Sequence, residues 1–382
     1  MTIPPSATTT APGAGVDAVV FGASGLVGHR IAAALAAAGL RIAVAGRRAQ
    51  ALAGLVDGAA CRIASAHDPE SLARAFAGAR VVVNAAGPLS ETAIPVLRAA
   101  IAAGARYCDV GGEQAVLRSL YERCESAVRH AGLLAVPGAG LDGMLADLLA
   151  TSAVADLELT ADAPLDELLI AYIFDDLSLS AGSQRALFGA AFARPQIWRR
   201  DRWEAAPTGD HRRIDAGEAL GGARDAIAYA GGSPITLPRH IPATVIATYA
   251  STTRKRSGLM RLVASALPLV PRVTEVLAAY APPDTDYART RFAIVVEARR
   301  GGGAPGGSGS NDAPLVARAV LRGRDVYATT VAVTTWTAIQ LARGVAGIGV
   351  RAPGEVFDAR VALRELRALA PFELEPALDL PR

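Results

Sequence analysis

The chain is poor in lysine. Of its 39 basic residues only Lys255 is a lysine, and the rest are arginine. Cysteine is also scarce: Cys61, Cys108 and Cys124 are widely spaced, odd in number and form no CxxC pair. That argues against a disulfide framework or a zinc site and makes a reducing cytoplasm the expected compartment. His29, His67, His130, His211 and His240 stand apart without metal-ligand neighbours, so no metal is expected. Aromatics are 5% and charged residues 20% of the chain, with alanine and glycine taking up the difference. The formal charge of +3 comes without a clustered basic face, so nucleic acid is not an expected partner. Long apolar runs are missing too. The most apolar later stretch, 262–270, contains Pro268 and is flanked by Arg261 and Arg272, too short to cross a bilayer. Residues 1–15 lack a basic segment followed by an apolar run, which reads as a disordered leader rather than a signal peptide.

What is present is ample core material, 51% hydrophobic over 382 residues, enough for two or three domains. Up to about residue 154 the texture alternates. Short β-rich runs at 18–21, 41–45, 81–83 and 133–136 are separated by helical stretches at 26–38, 70–76, 91–102, 114–130 and 143–153. Strands alternating with helices predict βαβ units and a doubly wound parallel sheet. Gly39, Gly104 and Gly132 each follow a helical run, where a C-terminal cap favours positive φ. From 155 to 330 longer strand-like runs appear at 167–174, 244–249, 292–298 and 315–321, with helices expected over 183–192 and 259–280. This part reads as an α+β substrate or dimerisation domain on a mostly antiparallel sheet. The Gly/Ser-rich segment 301–310 reads as an overlong hairpin turn. Helices at 331–343 and 361–369 complete a C-terminal part, 331–382.

The clearest motif follows the first strand. Gly22-Ala23-Ser24-Gly25-Leu26-Val27-Gly28 joins the run Ala18-Val19-Val20-Phe21 to a helix. Gly22 permits a tight turn, Gly25 lets a pyrophosphate approach the backbone, and Gly28 brings helix and strand together. The helix amides then face the phosphates. The second strand ends in Gly46-Arg47-Arg48 without an acid. An acid there would hold both ribose hydroxyls, whereas guanidinium groups bind a 2′-phosphate, so NADP(H) is the expected cofactor. Two cations at a helix start are unfavourable by themselves. Asp68 either contacts the adenine edge or caps the helix from Pro69. The small residues of Asn84-Ala85-Ala86-Gly87-Pro88 let the nicotinamide side of the cofactor pass close to the backbone.

In order along the chain stand the glycine loop, Asn84-Ala85-Ala86-Gly87-Pro88, Tyr107-Cys108-Asp109-Val110-Gly111-Gly112-Glu113 and Pro137-Gly138-Ala139-Gly140-Leu141-Asp142. Together they resemble the saccharopine dehydrogenase-like oxidoreductases, in particular the branch of trans-acting enoyl reductases and related secondary-metabolite reductases. The segments 237–240, 291–298 and 323–327 resemble that branch more softly, and the likeness spans about residues 16–365. It implies a Rossmann domain plus an α+β domain, a C-terminal part (331–382) whose helices pack back on the first domain, and hydride transfer to a C=N or C=C bond. The chain departs from the pattern at Leu141, where an aromatic is common, and at Ala146, where Ser or Pro is. No set of cationic residues fit to hold several carboxylates is found, so saccharopine formation is not the expected reaction.

Hydride transfer needs a group to protonate the other atom of the reduced bond. Asp109 and Glu113 follow the fifth strand and Asp142 the sixth, where such sheets place their sites; helix capping is the alternative for the first two. His240, between Pro238 and Pro242, is a further candidate acid, or else a structural hydrogen-bonding histidine. The Tyr-x-x-x-Lys pair of short-chain dehydrogenases is absent, because Ser251 precedes the sole lysine by four. The expected function is an NADP(H)-dependent reductase acting on a small molecule, polyketide or lipid-like in character, in a chain that can form a homodimer. A non-catalytic NADP(H) sensor is the other reading.

Overall fold

A computed structural model of the chain describes residues 15–178, 180, 194–251, 286–301 and 313–375. The helices expected over 183–192 and 259–280, the N-terminal leader to residue 14 and most of the 301–310 turn lie outside these residues. The strands in chain order are β1 (Val16–Phe21), β2 (Ile42–Gly46), β3 (Ala60–Ile63), β4 (Ala79–Asn84), β5 (Arg106–Asp109), β6 (Leu134–Val136), β7 (Leu165–Asp175), β8 (Gln196–Arg199), β9 (Arg202–Ala205), β10 (His211–Asp215), β11 (Ala223–Ala228), β12 (Ala243–Ser251), β13 (Arg291–Arg299), β14 (Leu315–Arg324), β15 (Gly349–Val350) and β16 (Phe372–Leu374).

Two units divide the chain. The first takes residues up to Gly111, then 119–139 and 330–351. It is built on a parallel seven-stranded sheet ordered β15-β6-β5-β4-β1-β2-β3. The strand order reverses between β1 and β4, which lie side by side with Phe21 opposite Asn84. In such sheets the crevice beyond this switch point is where ligands bind. The continuous apolar runs of β1, β2 and β4 fit strands covered on both faces. Helix Leu26–Ala37 buries Gly28, Ile31, Ala32 and Leu35, one stripe at helical spacing. Helices stop at Gly39, Gly104 and Gly132, each with positive φ, because only glycine adopts that conformation without a steric cost.

The second unit takes residues 112–118, 140–329 and 352 onward. Its nine-stranded sheet runs β10-β11-β12-β7-β13-β14-β16, with β8 and β9 attached through β12. It is mostly antiparallel; the β12–β7 pair is parallel. β13 and β14 form the hairpin expected around the glycine-rich turn. Alternate residues of three central strands (Leu169, Ala171 and Ile173; Ala247 and Tyr249; Ala293 and Val295) bury one face. Helix Ala146–Val154 packs on β13 and β14.

Three details differ from the pattern read along the sequence. The helix expected over 143–153 begins with a π-helical turn, Leu141–Leu145. Helix Val326–Ala342 starts a turn earlier than expected, because the Asp325 carboxylate accepts the Ala328 amide at 2.9 Å and caps it. The C-terminal part divides, with 330–351 in the first unit and residues from 352 in the second. Among the described residues no helix is long and apolar enough to cross a membrane.

Candidate active site

The glycine loop sits at the sheet's switch point. Gly22 has φ +84°, and a Cβ there would stand 2.6 Å from the Ala86 Cα. A Cβ on Gly28 would stand 2.3 Å from the Gly22 carbonyl oxygen. Both glycines are therefore demanded by backbone contact. The turn is tied in place by Gly22 N donating to Ala45 O at 2.8 Å and Ala85 N donating to Phe21 O at 2.8 Å. Ala23 is buried, whereas Ser24 and Gly25 are exposed and Leu26 and Val27 partly so. No side chain caps helix Leu26–Ala37 and its first turn carries no acid. Its leading amides are thus free of a side-chain partner and suited to an anion.

Arg47 and Arg48 follow β2 and are exposed. No acid among the described residues pairs with either, and Arg48 precedes a helical turn, Ala49–Leu52. Asp68 caps helix Pro69–Phe76, its Oδ1 accepting from the Glu70 and Ser71 amides at 3.1 Å each. Those bonds, the Ser71 amide foremost, hold its carboxyl below the usual range. Asn84 is buried, and its side chain works within the β4 turn. It accepts from Ala86 N at 3.1 Å and donates to Thr92 Oγ1 at 3.3 Å. Thr92 in turn donates to Ala86 O at 2.5 Å. Gly87 is exposed, with Ala85, Ala86 and Pro88 half-buried. This ring of bonds fixes the turn without using the loop's open side.

Asp109 is fully buried at the end of β5. Its Oδ1 accepts from Gly111 N at 3.1 Å and Gly138 N at 2.9 Å, and its Oδ2 from Tyr107 Oη at 2.8 Å. The carboxylate so joins the turns after β5 and β6. Burial, followed by the Asp109 charge, pushes the Tyr107 phenol well above its ordinary range, so it stays a donor.

In the second unit, Glu113 and Asp142 flank one glycine. Gly112 N donates to Glu113 Oε2 at 3.1 Å. A Cβ on Gly112 would fall 2.3 Å from the Asp142 carboxylate. The π-helical turn sets Asp142 there, and Tyr172 Oη donates to the Asp142 carbonyl. Both acids are half-buried. Tyr172 and Tyr229 meet edge to face near them, with centroids 6.1 Å apart.

His240 belongs to another cluster of that unit. Its Nε2 lies 3.3 Å from Asp147 Oδ1 and 3.1 Å from Thr151 Oγ1. Gly354 N donates to the same Asp147 oxygen at 2.7 Å, and a Cβ on Gly354 would strike all three side chains. Burial lowers the His240 pKa, but the Asp147 charge and hydrogen bond, with Glu355, bring it above the ordinary value.

Of the candidate acids, then, Glu113 and Asp142 come together, while Asp109 and His240 each sit in a bonded cluster of their own. Sequence reasoning missed Tyr172, Tyr229 and Asp147. The pairs Gly111-Gly112 and Gly231-Gly232 were the available signal for the first two, since paired glycines mark close backbone approach. Among the described residues no group of three or more His, Cys, Asp or Glu side chains is arranged to hold a metal.

Residues 18–136 match the family model of the saccharopine dehydrogenase NADP-binding domain. A putative trans-acting enoyl reductase of Mycobacterium tuberculosis is 33% identical over 141 residues, 35% of this chain and 34% of that protein. A lipid droplet localized protein of Caenorhabditis elegans is 32% identical over 147 residues, again 35% of this chain and 34% of its own length. The match thus spans about a third of these curated relatives. Among solved structures, apo saccharopine dehydrogenase (L-Glu forming) of Saccharomyces cerevisiae superposes with a TM-score of 0.63 at 15% identity, covering 95% of this chain and all of that one. The chain has the fold of saccharopine dehydrogenase, and residues 18–136 are an NADP(H)-binding domain of that family.

Proposed function

We propose that the protein is an NADP(H)-dependent reductase that adds a hydride to a C=C or C=N bond of a small molecule, polyketide or lipid-like in character. The observation that carries this is the glycine turn pressed onto the β4 turn, beside an uncapped helix and two exposed arginines that no acid among the described residues pairs. The amides of Ser24, Leu26 and Val27 would hold the pyrophosphate, while the Gly25 amide closes the turn on Gly22 O at 3.0 Å. Arg47 and Arg48 would hold the 2′-phosphate with charge-assisted bonds. Ala85, Ala86, Gly87 and Pro88 would line the nicotinamide side, fixed by Asn84 and Thr92. Asp68 would border the adenine while it caps its helix. Bound NADPH supplies the hydride.

Glu113 and Asp142 face the substrate in this reading, because both carboxylates are half-buried around a glycine. Asp109 and His240 support the site as positioning groups, since their hydrogen bonds hold turns together. Two probes test the reading: (E)-crotonyl-N-acetylcysteamine thioester for C=C and 2-methyl-1-pyrroline for C=N. NADPH binding is followed by fluorescence and its oxidation by absorbance. Oxidation with one probe is the expected outcome. Tight NADPH binding with neither probe reduced would favour a sensor and sink the reductase reading.

A further inference from the structure

Three turns stand at the ends of β4, β5 and β6: residues 84–88, 109–111 and 137–139. All belong to the first unit. Asp109 is the single ionisable side chain in the three, and it is 0% exposed. Its hydrogen bonds fix its charge. Ala86 N donates to Asn84 Oδ1 at 3.1 Å, which orients the Asn84 amide. Asn84 Nδ2 then donates to Tyr107 Oη at 3.4 Å. With that oxygen accepting, the phenolic proton goes to Asp109 Oδ2 at 2.8 Å. The amides of Gly111 and Gly138 donate to Oδ1 at 3.1 and 2.9 Å. A carboxyl group that accepts all of these bonds is the ionised form.

Burying a charge is costly even when it is well hydrogen-bonded. Holding two turns together does not require one, because neutral acceptors satisfy most buried amides in proteins. What a charge adds is a field, and in the interior that field is screened far less than in water. Its place in the sheet gives it a target. Asn84, Tyr107, Asp109 and Gly138 lie on the β4-β5-β6 side of the switch point, together with the turn 85–88. Arg47, Arg48 and Asp68 follow β2 and β3 on the other side. The buried anion therefore acts on the nicotinamide half of a dinucleotide held along these strand ends, and far less on the adenine half.

We propose that the Asp109 carboxylate sets the redox preference of the cofactor site, stabilising the oxidised nicotinamide over the reduced one. This rests on the placing of the nicotinamide along residues 85–88 proposed above. A nicotinamide that has given up its hydride carries one positive charge, and the reduced ring carries none. An anion fixed at the strand ends attracts the first and is nearly indifferent to the second. Asp109 thereby favours hydride donation over hydride uptake, the direction a reductase needs. The neutral groups of the same turns supply no such bias.

Binding of both cofactor forms to wild type, D109N and Y107F tests this. NADPH affinity is read from nicotinamide fluorescence and NADP⁺ affinity from displacement of NADPH. Unit charges about 10 Å apart at an effective dielectric constant of about 20 change a binding constant by roughly ten-fold. D109N should raise the ratio of the NADP⁺ to the NADPH dissociation constant by about that factor, whatever it does to the two together. Y107F keeps the charge but loosens the same turns. It should weaken both forms and leave the ratio near that of wild type. A D109N ratio within about two-fold of wild type overturns the assignment. So does an equal rise in Y107F, because loosened turns would then account for it. If D109N does not fold, D109S carries the same test, its smaller neutral side chain still able to accept from a glycine amide. A wild type that binds neither form fails earlier and refutes the cofactor site together with the Asp109 role.

Discussion

A Cβ added to Gly22 would lie 2.6 Å from the Cα of Ala86, so the turns after β1 and β4 are in backbone contact. Gly39 offers a control, because it has φ +83° against +84° at Gly22 and nothing within 4 Å of its missing Cβ. Gly39→Ala should lose only the left-handed term, about 1–2 kcal/mol. Gly22→Ala should lose more and should also weaken NADPH binding. Urea midpoints and a fluorescence titration measure both. Equal destabilisation of the two variants would mean that the contact with Ala86 has no energetic consequence.

Arg47 and Arg48 give the cofactor reading its sharpest check. Removing a guanidinium from a phosphate loses a charge-assisted hydrogen bond worth about 1.5–3 kcal/mol. Arg47→Ala should therefore weaken NADPH binding by roughly 10–100-fold and leave NADH nearly unaffected. Equal losses for the two cofactors would refute contact with the 2′-phosphate.

Strands β1, β2, β4 and β6 of the parallel sheet were legible because they read as plain apolar runs between glycine-capped helices, whereas β3, with exposed Cys61 and Ile63, β5 (Arg106–Asp109) and the two-residue β15 show no such run. Nor were β8, β9 and β10 legible. They alternate weakly and expose arginines and acids, as in Arg202–Ala205 and His211–Asp215, so nothing in their pattern separates strand from loop. The glycine loop was readable because its whole geometry is local. The cluster around Gly112 was not, because Asp142, Tyr172 and Tyr229 reach it from distant parts of the sequence. The tyrosines lie in or just beyond ordinary strand texture. His240 stood out for its flanking prolines, yet its partners Asp147, Thr151 and Gly354 are set by tertiary packing alone.

Asp109 is expected to matter to stability first. Asn in its place would present an amide N–H₂ toward donors at Gly111, Gly138 or Tyr107, leaving at least one buried donor without an acceptor. That costs about 1–3 kcal/mol. Asp109→Asn should lower the thermal midpoint and weaken NADPH binding through the loosened turns. Unchanged stability with abolished turnover would instead return Asp109 to a direct role in the chemistry.

The His240–Asp147 pair predicts a pH dependence with a definite sign. The folded-state pKa of His240 is raised, so the charged imidazole is favoured in the native protein. Its contribution is full below the unfolded value of about 6.5 and is lost as pH rises through the folded value. Asp147, Glu355 and Arg239 are the charged groups acting on it. Wild-type stability should therefore decline as pH rises from about 6.5, and His240→Gln should remove that decline. On the acid side the variant leaves the buried Asp147 without its cation, at a cost of about 3–5 kcal/mol. Urea unfolding at a series of pH values measures both effects. A wild-type curve whose pH slope matches that of the variant would show that His240 is uncharged in its clasp and that the Asp147 carboxylate is held by the Gly354 amide rather than by a cation.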